Sequence, residues 1–418
     1  MITSNDPDRK TENPFKNISR RDLLRLAKTF GWSTILLSST SLSGNVSLVR
    51  LAQAAELEQK KRTAKKTRVS LTYGTAIFNK DAELVDPVGC SQFLRDIEER
   101  TDGEIRVELI DQNRICKQED CARKAREGII DLYSATTQNS ADVEEYFNVL
   151  DFPYLFPSRA AQNYFFYHPD SEKLFREPVR KHHGMRFLFT NCRLRSIIMG
   201  LAWREKPAIG RIEELAGLKI RISGSKPGKI ALSLLNISPI AIPWIDTLGA
   251  IKHGMVDGIE AYDAGVALAM PGVISQVIDL RLFSGNWHTA INEKVFEKLT
   301  PDLQNALMES AYQTQVFIQL ASEAALVNTV GASNPQTPNT VFGKHGIRFV
   351  ELPEKELKKA EHLCSPEFNP KPWEGWREKL NKMAGNIDIY KEIHAIARQI
   401  PSDSLAENVE PRRWWKAL

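Results

Sequence analysis

The sequence predicts an α/β protein built from more than one domain. Segments with strand-like and helix-like apolar spacing alternate along the body of the chain, which favours a mainly parallel sheet covered by helices. A chain of 418 residues exceeds the usual size of one domain. Hydrophobic residues make up 42% of the chain, enough for substantial cores. No run of about twenty apolar residues indicates a membrane span in the mature protein.

The formal net charge lies at the N-terminus. Residues 1–54 contain eight Lys or Arg and four Asp or Glu, so the rest of the chain is formally neutral within a total of +4. A nucleic-acid-binding surface needs a dense field of Lys and Arg. The charge distribution therefore argues against a nucleic-acid partner.

The first 54 residues have the three-part pattern of a signal peptide. Arg20-Arg21, followed by Leu23-Leu24, is typical of the twin-arginine type, which exports folded proteins. An ordinary Sec signal and a short membrane anchor are the alternatives. We expect cleavage near Ala54 and a periplasmic product in which residues 55–67 form a flexible charged lead.

Five cysteines raise the question of disulfides in an oxidising compartment. Cys116 and Cys121 lie close together in RICKQEDC, which favours a structural disulfide that closes a small loop. Free thiols, and a redox or metal role, stay open as alternatives, although a redox pair usually has about two intervening residues. Cys90, Cys192 and Cys364 are scattered, and we expect them to be buried or unpaired.

The first half of the body alternates strands and helices. Ile105, Val107 and Leu109, for example, alternate with charged residues as a half-buried strand requires. The expected elements are a strand in 68–78, a helix capped by Asp86-Pro87, a strand at 105–109, a helix at 121–128, a strand at 129–137, an ordered loop at 147–158 and a strand at 184–191.

A second unit begins near Asn191 with a polar segment. The expected elements are a short helix at 211–217, a strand at 218–223, a helix at 229–236, a turn at 238–244, a helix at 245–254, a strand at 255–262 and a helix to about Gln276. Thr300-Pro301-Asp302 then caps a long helix with an apolar stripe that continues to about Val330. Charged and aromatic residues alternate in 363–418, which predicts helices wrapped on the body.

Motifs for nucleotide, metal and hydrolytic chemistry are absent from the sequence. Residues 224–229 read GSKPGK, but the glycines are one residue too close for a phosphate-binding loop, Pro227 removes an N–H donor, and Ile230 replaces the magnesium-binding hydroxyl. No G-x-S-x-G or H-E-x-x-H occurs, and the histidines lack metal-ligand spacing. We therefore expect no cofactor and no metal.

Several longer segments resemble the solute-binding proteins of tripartite ATP-independent periplasmic (TRAP) transporters. GLKIRIS, SPIAIPWIDTLGAIKHGMVDGIE, NWHTAIN and LTPDLQNAL follow the order of that family, and LTYGTA, DGEIRVELI, REGIIDL and LDFPYLF agree in the first half. The resemblance covers residues 68–362. It implies a two-lobed periplasmic binding protein with a cleft between the lobes and a long lobe-spanning helix.

This resemblance also implies the domain boundaries. Lobe I would comprise residues 68–190 and 287–326, and lobe II would comprise residues 191–286 and 327–362. A C-terminal helical tail would then occupy residues 363–418.

In that family an arginine on the strand after the GLK turn binds the carboxylate of a small organic acid through a two-pronged salt bridge, and Arg221 stands at that position. A planar guanidinium matches a carboxylate and stays charged when the cleft dries. Because burying it is unfavourable until a ligand neutralises it, binding and closure would be coupled. The alternative is a structural salt bridge.

Other pocket residues are expected from the same resemblance. Glu260 would orient polar groups or a bound cation, or would be a solvated acid at a helix start. Asn139 would be a neutral donor and acceptor for the ligand. Members that bind keto acids carry an aromatic residue directly after the acid; here that position is Ala261, and the aromatic Tyr262 comes next as a candidate pocket residue. The remaining wall candidates, each with core packing as the alternative, are Trp244, Trp287 and Tyr73.

Several relatives carry a second arginine about twenty residues before the first. That position here falls near Gly200, between Arg193, Arg195 and Arg204. The sequence therefore does not identify a second anion-binding residue, and it argues against a two-arginine site for a dicarboxylate or a sugar acid.

The sequence thus predicts a non-catalytic periplasmic binding protein that delivers a small organic acid to the TRAP membrane permease subunits. One rival is an exported enzyme that uses Glu260, Asp263 or His288 as its acid-base group. Another is a receptor that presents its ligand to a signalling partner. The aromatic tail makes a homodimer possible.

Overall fold

Two β-sheets with helices packed around them form the body of the protein, so the fold is α/β. The computed structural model describes residues 48–79, 85–401 and 403–416, and within these ranges eleven strands divide into a five-stranded sheet A and a six-stranded sheet B. The strands are β1 (Val69–Thr75), β2 (Ile105–Ile110), β3 (Leu132–Thr136), β4 (Met185–Thr190), β5 (Arg193–Gly200), β6 (Lys219–Ile222), β7 (Ser238–Ala241), β8 (Gly258–Ala261), β9 (Ile274–Gly285), β10 (Trp287–Asn292) and β11 (Arg348–Glu351).

Helices connect these strands and cover their faces. They are α1 (Leu48–Lys61), α2 (Cys90–Arg100), α3 (Cys121–Arg126), α4 (Thr137–Ser140), α5 (Arg159–Tyr167), α6 (Glu177–His183), α7 (Lys226–Leu234), α8 (Trp244–Lys252), α9 (Asp263–Ala269), α10 (Glu293–Glu297), α11 (Pro301–Ala325), α12 (Val341–His345), α13 (Glu354–Cys364), α14 (Glu374–Met383) and α15 (Ile389–Ala397). Among the residues described, no helix combines the length and the apolar character that crossing a membrane requires.

Sheet A has the strand order β2-β1-β3-β10-β4. β1 pairs in parallel with β2 and β3, whereas β10 is antiparallel to both β3 and β4. All residues of β3 and β10 are buried, as expected for central strands that are covered on both faces.

Sheet B has the strand order β11-β9-β5-β8-β6-β7. β6 pairs in parallel with β7 and β8, and β5 is antiparallel to its neighbours β8 and β9. Both sheets are therefore mixed, although the sequence pattern predicts a mainly parallel sheet.

Two neighbouring crossovers connect the sheets. The chain leaves sheet A between β4 and β5 and returns between β9 and β10. Asn191 in the first crossover accepts a hydrogen bond from Trp287 N at 2.8 Å through its side chain, and Asn286 in the second donates to Asn191 O at 3.1 Å. Both asparagines are fully buried, so these bonds hold the two crossovers together.

The long helix α11 spans both sheets, as the sequence predicts. Its buried Leu307 packs in the same core as sheet A residues such as Leu132. A π-helical turn continues α11 over Leu326–Val330, where buried side chains join the core around Ile259 in sheet B. The helix ends at Gly331, which has the left-handed conformation that glycine adopts readily.

The C-terminal tail packs on the rest of the same chain. Trp373 is fully buried, with its ring centroid 5.8 Å from that of Phe152. Arg398 donates hydrogen bonds to the carbonyl oxygens of Tyr154 and Leu155 at 3.0 and 3.1 Å. Trp414 is also buried. The tail thus covers the loop that follows α4.

Several local predictions were wrong. Residues 55–67 are not a flexible lead, because α1 extends to Lys61 and Arg62 pairs with Glu98 at 2.6 Å. Helix α2 starts at Cys90 rather than after Asp86, since the Asp86 carboxylate binds Arg193 instead of capping a helix. The signal-peptide prediction falls mainly on residues 1–47, which lie outside the described residues.

Two further predictions for the second unit were also wrong. The segment expected as a turn at 238–244 contains strand β7, which pairs with β6. The helix expected to reach Gln276 ends at Ala269, because residues 274–285 form β9 between β11 and β5.

Candidate functional site

A cavity lies between the two sheets. It contains about 790 Å³ of empty space, including the solvent at its mouth. Sheet A contributes Thr136 and Trp287 to its wall, and sheet B contributes Arg195, Arg221 and Glu260. Such a cleft between two layers is the usual place for a small-molecule site.

Arg221 enters the cavity from β6, the strand that the sequence singles out. Its side chain is buried, its Nε donates to Ile242 O at 2.8 Å, and its guanidinium carbon lies 5.6 Å from the Trp244 ring centroid. Among the described residues it forms no ion pair, and its two terminal nitrogens make no hydrogen bond. Burial lowers the pKa of Arg221 to about 10, so the group is charged at neutral pH.

Arg195 is a second cation in the cavity, and the sequence did not identify it as such. Its Nη2 lies 3.0 Å from Asp151 Oδ1, and its Nε lies 3.0 Å from Glu260 Oε1. Burial alone would lower the pKa of Arg195, but Asp151 and Glu260 raise it overall. This guanidinium therefore has two carboxylate partners, whereas that of Arg221 has no ion pair among the described residues.

The other two arginines near the expected second position lie elsewhere. Arg193 pairs with Asp86 at 3.1 Å and also approaches Ser322 O at 3.4 Å. Arg204 donates to His345 O at 3.2 Å in an exposed position. Neither side chain lines the cavity.

Glu260 reaches the cavity from β8 and is almost fully buried. Burial raises the pKa of Glu260, although Arg195 lowers it. The Arg195 Nε that lies close to Oε1 directs its hydrogen to Ser284 O instead, so Oε1 accepts no hydrogen bond from the residues that the structure describes. Within the described part of the chain, this oxygen is a buried acceptor without a hydrogen-bond donor.

The structure brings four of the other expected residues to the cavity wall. Trp244 and Trp287 both line it, and the Trp287 indole N–H is already bound to Ser134 Oγ at 2.7 Å. Tyr262 donates from its hydroxyl to Gln138 Oε1 at 2.8 Å. Asn139 uses its amide nitrogen to bind Thr136 Oγ1 at 2.8 Å.

Tyr73 does not line the cavity, so the expectation that it is a wall residue was wrong. Its side chain is fully buried in the core of sheet A, where the ring makes an edge contact with Phe93. A buried phenol needs a hydrogen-bond partner, and the Tyr73 hydroxyl lies 2.6 Å from Thr289 Oγ1. The residue therefore has a structural role.

Cys116 and Cys121 form a disulfide, which confirms the structural alternative among those the sequence leaves open. The loop that it closes brings Gln118 to the cavity wall. Gln118 was not among the residues predicted from the sequence, although its position between two neighbouring cysteines in the segment after β2 was a usable signal.

The other two acid-base candidates of the rival enzyme lie away from this cavity. His288 is buried in an aromatic core, with Nε2 2.7 Å from the Tyr133 hydroxyl, and burial lowers its pKa to about 3. Asp263 is buried near Arg159 and Arg193 in a separate small cavity. Glu260 thus has neither of them as a partner in the cavity.

A comparison with protein families places this cavity in a known context. The family model described as bacterial extracellular solute-binding protein, family 7, matches residues 87–330. The chain belongs to this family. Its members are the solute-binding receptors of TRAP transporters, they are periplasmic proteins that bind small organic acids, and they are not enzymes.

Individual relatives agree with the family assignment. This solute-binding protein is 23% identical over 252 residues to the 2,3-diketo-L-gulonate-binding periplasmic protein YiaO of Escherichia coli K12, which covers 58% of this chain and 72% of the relative. A TRAP periplasmic solute-binding protein from Ralstonia eutropha H16 with bound (S)-2-acetolactate is 17% identical, with a TM-score of 0.63 over 79% of this chain and 99% of that one.

A third comparison adds a member with a different ligand. A TRAP periplasmic solute-binding protein from Shewanella oneidensis with bound succinate has a TM-score of 0.64 and 13% identity, over 79% of this chain and 99% of the other. The shared fold of these solute-binding proteins is therefore compatible with more than one class of acid.

Proposed function

We propose that this protein captures a small organic monocarboxylate in the cavity between its sheets and delivers it to a TRAP membrane permease. The observation that carries the proposal is the Arg221 guanidinium, a buried cation that faces the cavity without an ion pair among the described residues. Burying an unpaired charge is unfavourable, and a carboxylate would relieve this cost through two parallel hydrogen bonds.

The charges around Arg221 favour one carboxylate over two. Arg195 already contacts both Asp151 and Glu260, so a second ligand carboxylate would meet these two acids without a free cation. Like charges in a desolvated site repel one another strongly. The ligand that fits this balance carries a single negative charge, as (S)-2-acetolactate in the Ralstonia protein does.

Apolar and polar groups on the cavity wall restrict the class of acid that fits. Phe78, Val88, Trp244 and Leu268 provide an apolar surface, which favours an alkyl or aryl body. Glu260 Oε1, which accepts no hydrogen bond from the residues described although Arg195 Nε lies close to it, would accept one from a ligand hydroxyl. These features support a hydroxy or oxo monocarboxylate with an apolar body.

Calorimetry on the purified protein tests this proposal. Arg221→Ala should abolish or greatly weaken the binding of monocarboxylates such as 2-oxoisocaproate, while Arg204→Ala, at the exposed arginine, should leave affinity unchanged. The titrations should include succinate, which we expect to bind at least about tenfold more weakly than the best monocarboxylate. Unchanged affinity in Arg221→Ala, or a preference for succinate, would contradict the proposal.

We also propose that the protein reaches the periplasm through the twin-arginine leader at Arg20-Arg21, with cleavage near Ala54. Replacing both arginines by lysine should leave the precursor in the cytoplasm, and N-terminal sequencing of the exported protein would locate the cleavage site. Deletion of the genes for the TRAP permease subunits should abolish uptake of the bound acid but leave binding by the purified protein intact.

A homodimer through the tail stays a prediction. Trp373 and Trp414 are buried in their own chain, which leaves the half-buried Trp376 and Trp415 for such a contact. A monomer mass for the native protein in light scattering would contradict the dimer. If the native protein is a dimer, Trp376→Ala/Trp415→Ala should convert it to a monomer.

A further inference from the structure

The loop closed by the Cys116–Cys121 disulfide is held firmly against sheet A. Both cysteines are buried, and their Cα atoms lie 4.9 Å apart. A side-chain carbon added to Gly74 on β1 would lie 3.2 Å from Cys116 Sγ, so the disulfide packs directly on the strand. Within the loop, Asp120 Oδ1 accepts a hydrogen bond from Lys117 N at 2.7 Å.

Gln118 points from this loop into the cavity. Its side chain is 4% exposed, and its Oε1 accepts a hydrogen bond from Thr136 N at 3.1 Å. Because a backbone N–H can only donate, this bond fixes the orientation of the amide and directs its NH₂ group away from Thr136. That NH₂ makes no hydrogen bond with any of the residues described, although Gln118 lines the cavity.

We infer that Gln118 is a ligand-selecting residue that donates a hydrogen bond from its amide NH₂ to a keto or hydroxyl oxygen of the bound acid. The Cys116–Cys121 disulfide holds this residue in place. A donor that lines the cavity without a partner among the described residues disfavours an alkyl group at this position and favours a keto or hydroxyl oxygen. The inference rests on the proposed function and adds the group that distinguishes an oxo acid from the corresponding alkanoate.

The disulfide contributes to affinity because the Gln118 amide must already be in position when the ligand binds. Gln118 lies two residues from Cys116 and three from Cys121, and within the described part of the chain its side chain makes one hydrogen bond, with Thr136 N. Without the cross-link the loop would gain conformational freedom, which ligand binding would then have to remove. Loss of the disulfide should therefore weaken binding mainly through Gln118.

Calorimetry with matched acids tests the role of Gln118. The probes are 2-oxoisocaproate with 4-methylpentanoate and phenylpyruvate with 3-phenylpropanoate, because each pair differs by one keto oxygen. Gln118→Glu keeps an acceptor for Thr136 N but removes the donor, whereas Gln118→Met removes the donor without adding charge. Both variants should lower the preference for the oxo acid by about 3- to 10-fold. Lys117→Ala, on the exposed neighbour, should not change this preference.

A double-mutant cycle tests the role of the disulfide. Cys116→Ala/Cys121→Ala should reduce the oxo-acid preference, and adding Gln118→Met should then have little further effect, since both changes act through one group. Additive effects, or an unchanged preference in either Gln118 variant, would overturn the inference. If wild-type protein binds none of the four acids, or Arg221→Ala binds them normally, the proposed function itself fails.

Discussion

The hydroxyl of Tyr262 donates a hydrogen bond of 2.8 Å to Oε1 of Gln138. Tyr262 follows β8 of sheet B, and Gln138 follows β3 of sheet A, so the bond joins the two walls of the cavity. Gln138 in turn donates to Asp151 Oδ1 at 3.0 Å, the same oxygen that Arg195 contacts. The two sheets are thus linked by a chain of hydrogen bonds that runs from Tyr262 through Gln138 and Asp151 to Arg195.

Tyr262→Phe should weaken ligand binding by about 3- to 10-fold, because it removes one hydrogen bond that favours the closed arrangement. Calorimetry would measure the affinity, and small-angle scattering should show a larger radius of gyration without ligand. Tyr164→Phe is a matched control, since the Tyr164 hydroxyl binds Gln399 in an exposed position outside the cavity. Equal affinities for the two variants would contradict this prediction.

Arg195→Met should destabilise the protein, whereas Arg221→Met should not. Removing Arg195 leaves Asp151 and Glu260 as buried carboxylates without their cation, which should lower the free energy of unfolding by about 3–5 kcal/mol. Removing Arg221 eliminates an unpaired buried charge, so the ligand-free variant should be as stable as the wild type or more stable. Urea denaturation without ligand provides the measurement, and similar losses in both variants would contradict the assignment of roles.

The elements that the sequence predicted are those with local signals. The alternation of apolar and charged residues around Val107 predicted strand β2 correctly, and Thr300-Pro301 marked the start of α11 correctly. Family resemblance located Arg221 and Glu260, because the strands that carry them lie within quoted motifs. In these cases the information lies within a few residues of the position concerned.

Predictions failed where distant residues decide the structure. Strand β5 is mostly buried, but it contains Arg193, Arg195 and Ser196. Because these side chains are polar, the sequence does not predict a buried strand there. They are buried because their partners come from far along the chain, such as Asp151, which is 44 residues from Arg195. The same reason explains why Arg195 was not recognised as a site residue. Tyr73 was wrongly predicted to line the cavity because its hydrogen-bond partner in the core, Thr289, lies 216 residues away along the sequence.

Glu144→Gln should remove a component of the pH dependence of stability. Burial raises the pKa of Glu144 from 4.5 to about 8, although Tyr133 and Arg126 lower it. Between these two values the folded protein binds more protons than the unfolded chain, so stability is lost as the pH rises. Relative to Glu144→Gln, the wild type should lose up to about 1.4 kcal/mol per pH unit in this window.

Urea denaturation at several pH values between about 5 and 8 would measure this difference. Glu108→Gln, at an exposed position on β2, is the control and should keep the wild-type slope. Parallel profiles for wild type and Glu144→Gln would contradict the prediction.

Trp414→Ala should destabilise the protein by about 3–5 kcal/mol, because it leaves a cavity where the tail packs on the body. The indole is 3% exposed, its ring lies 6.5 Å from that of Tyr167, and the Arg176 guanidinium carbon lies 4.3 Å from it. Trp415→Ala, at the half-buried neighbour, should cost clearly less, and thermal and urea denaturation would compare the two. A loss in Trp415→Ala equal to that in Trp414→Ala would mean that burial against the body does not decide the contribution of the tail.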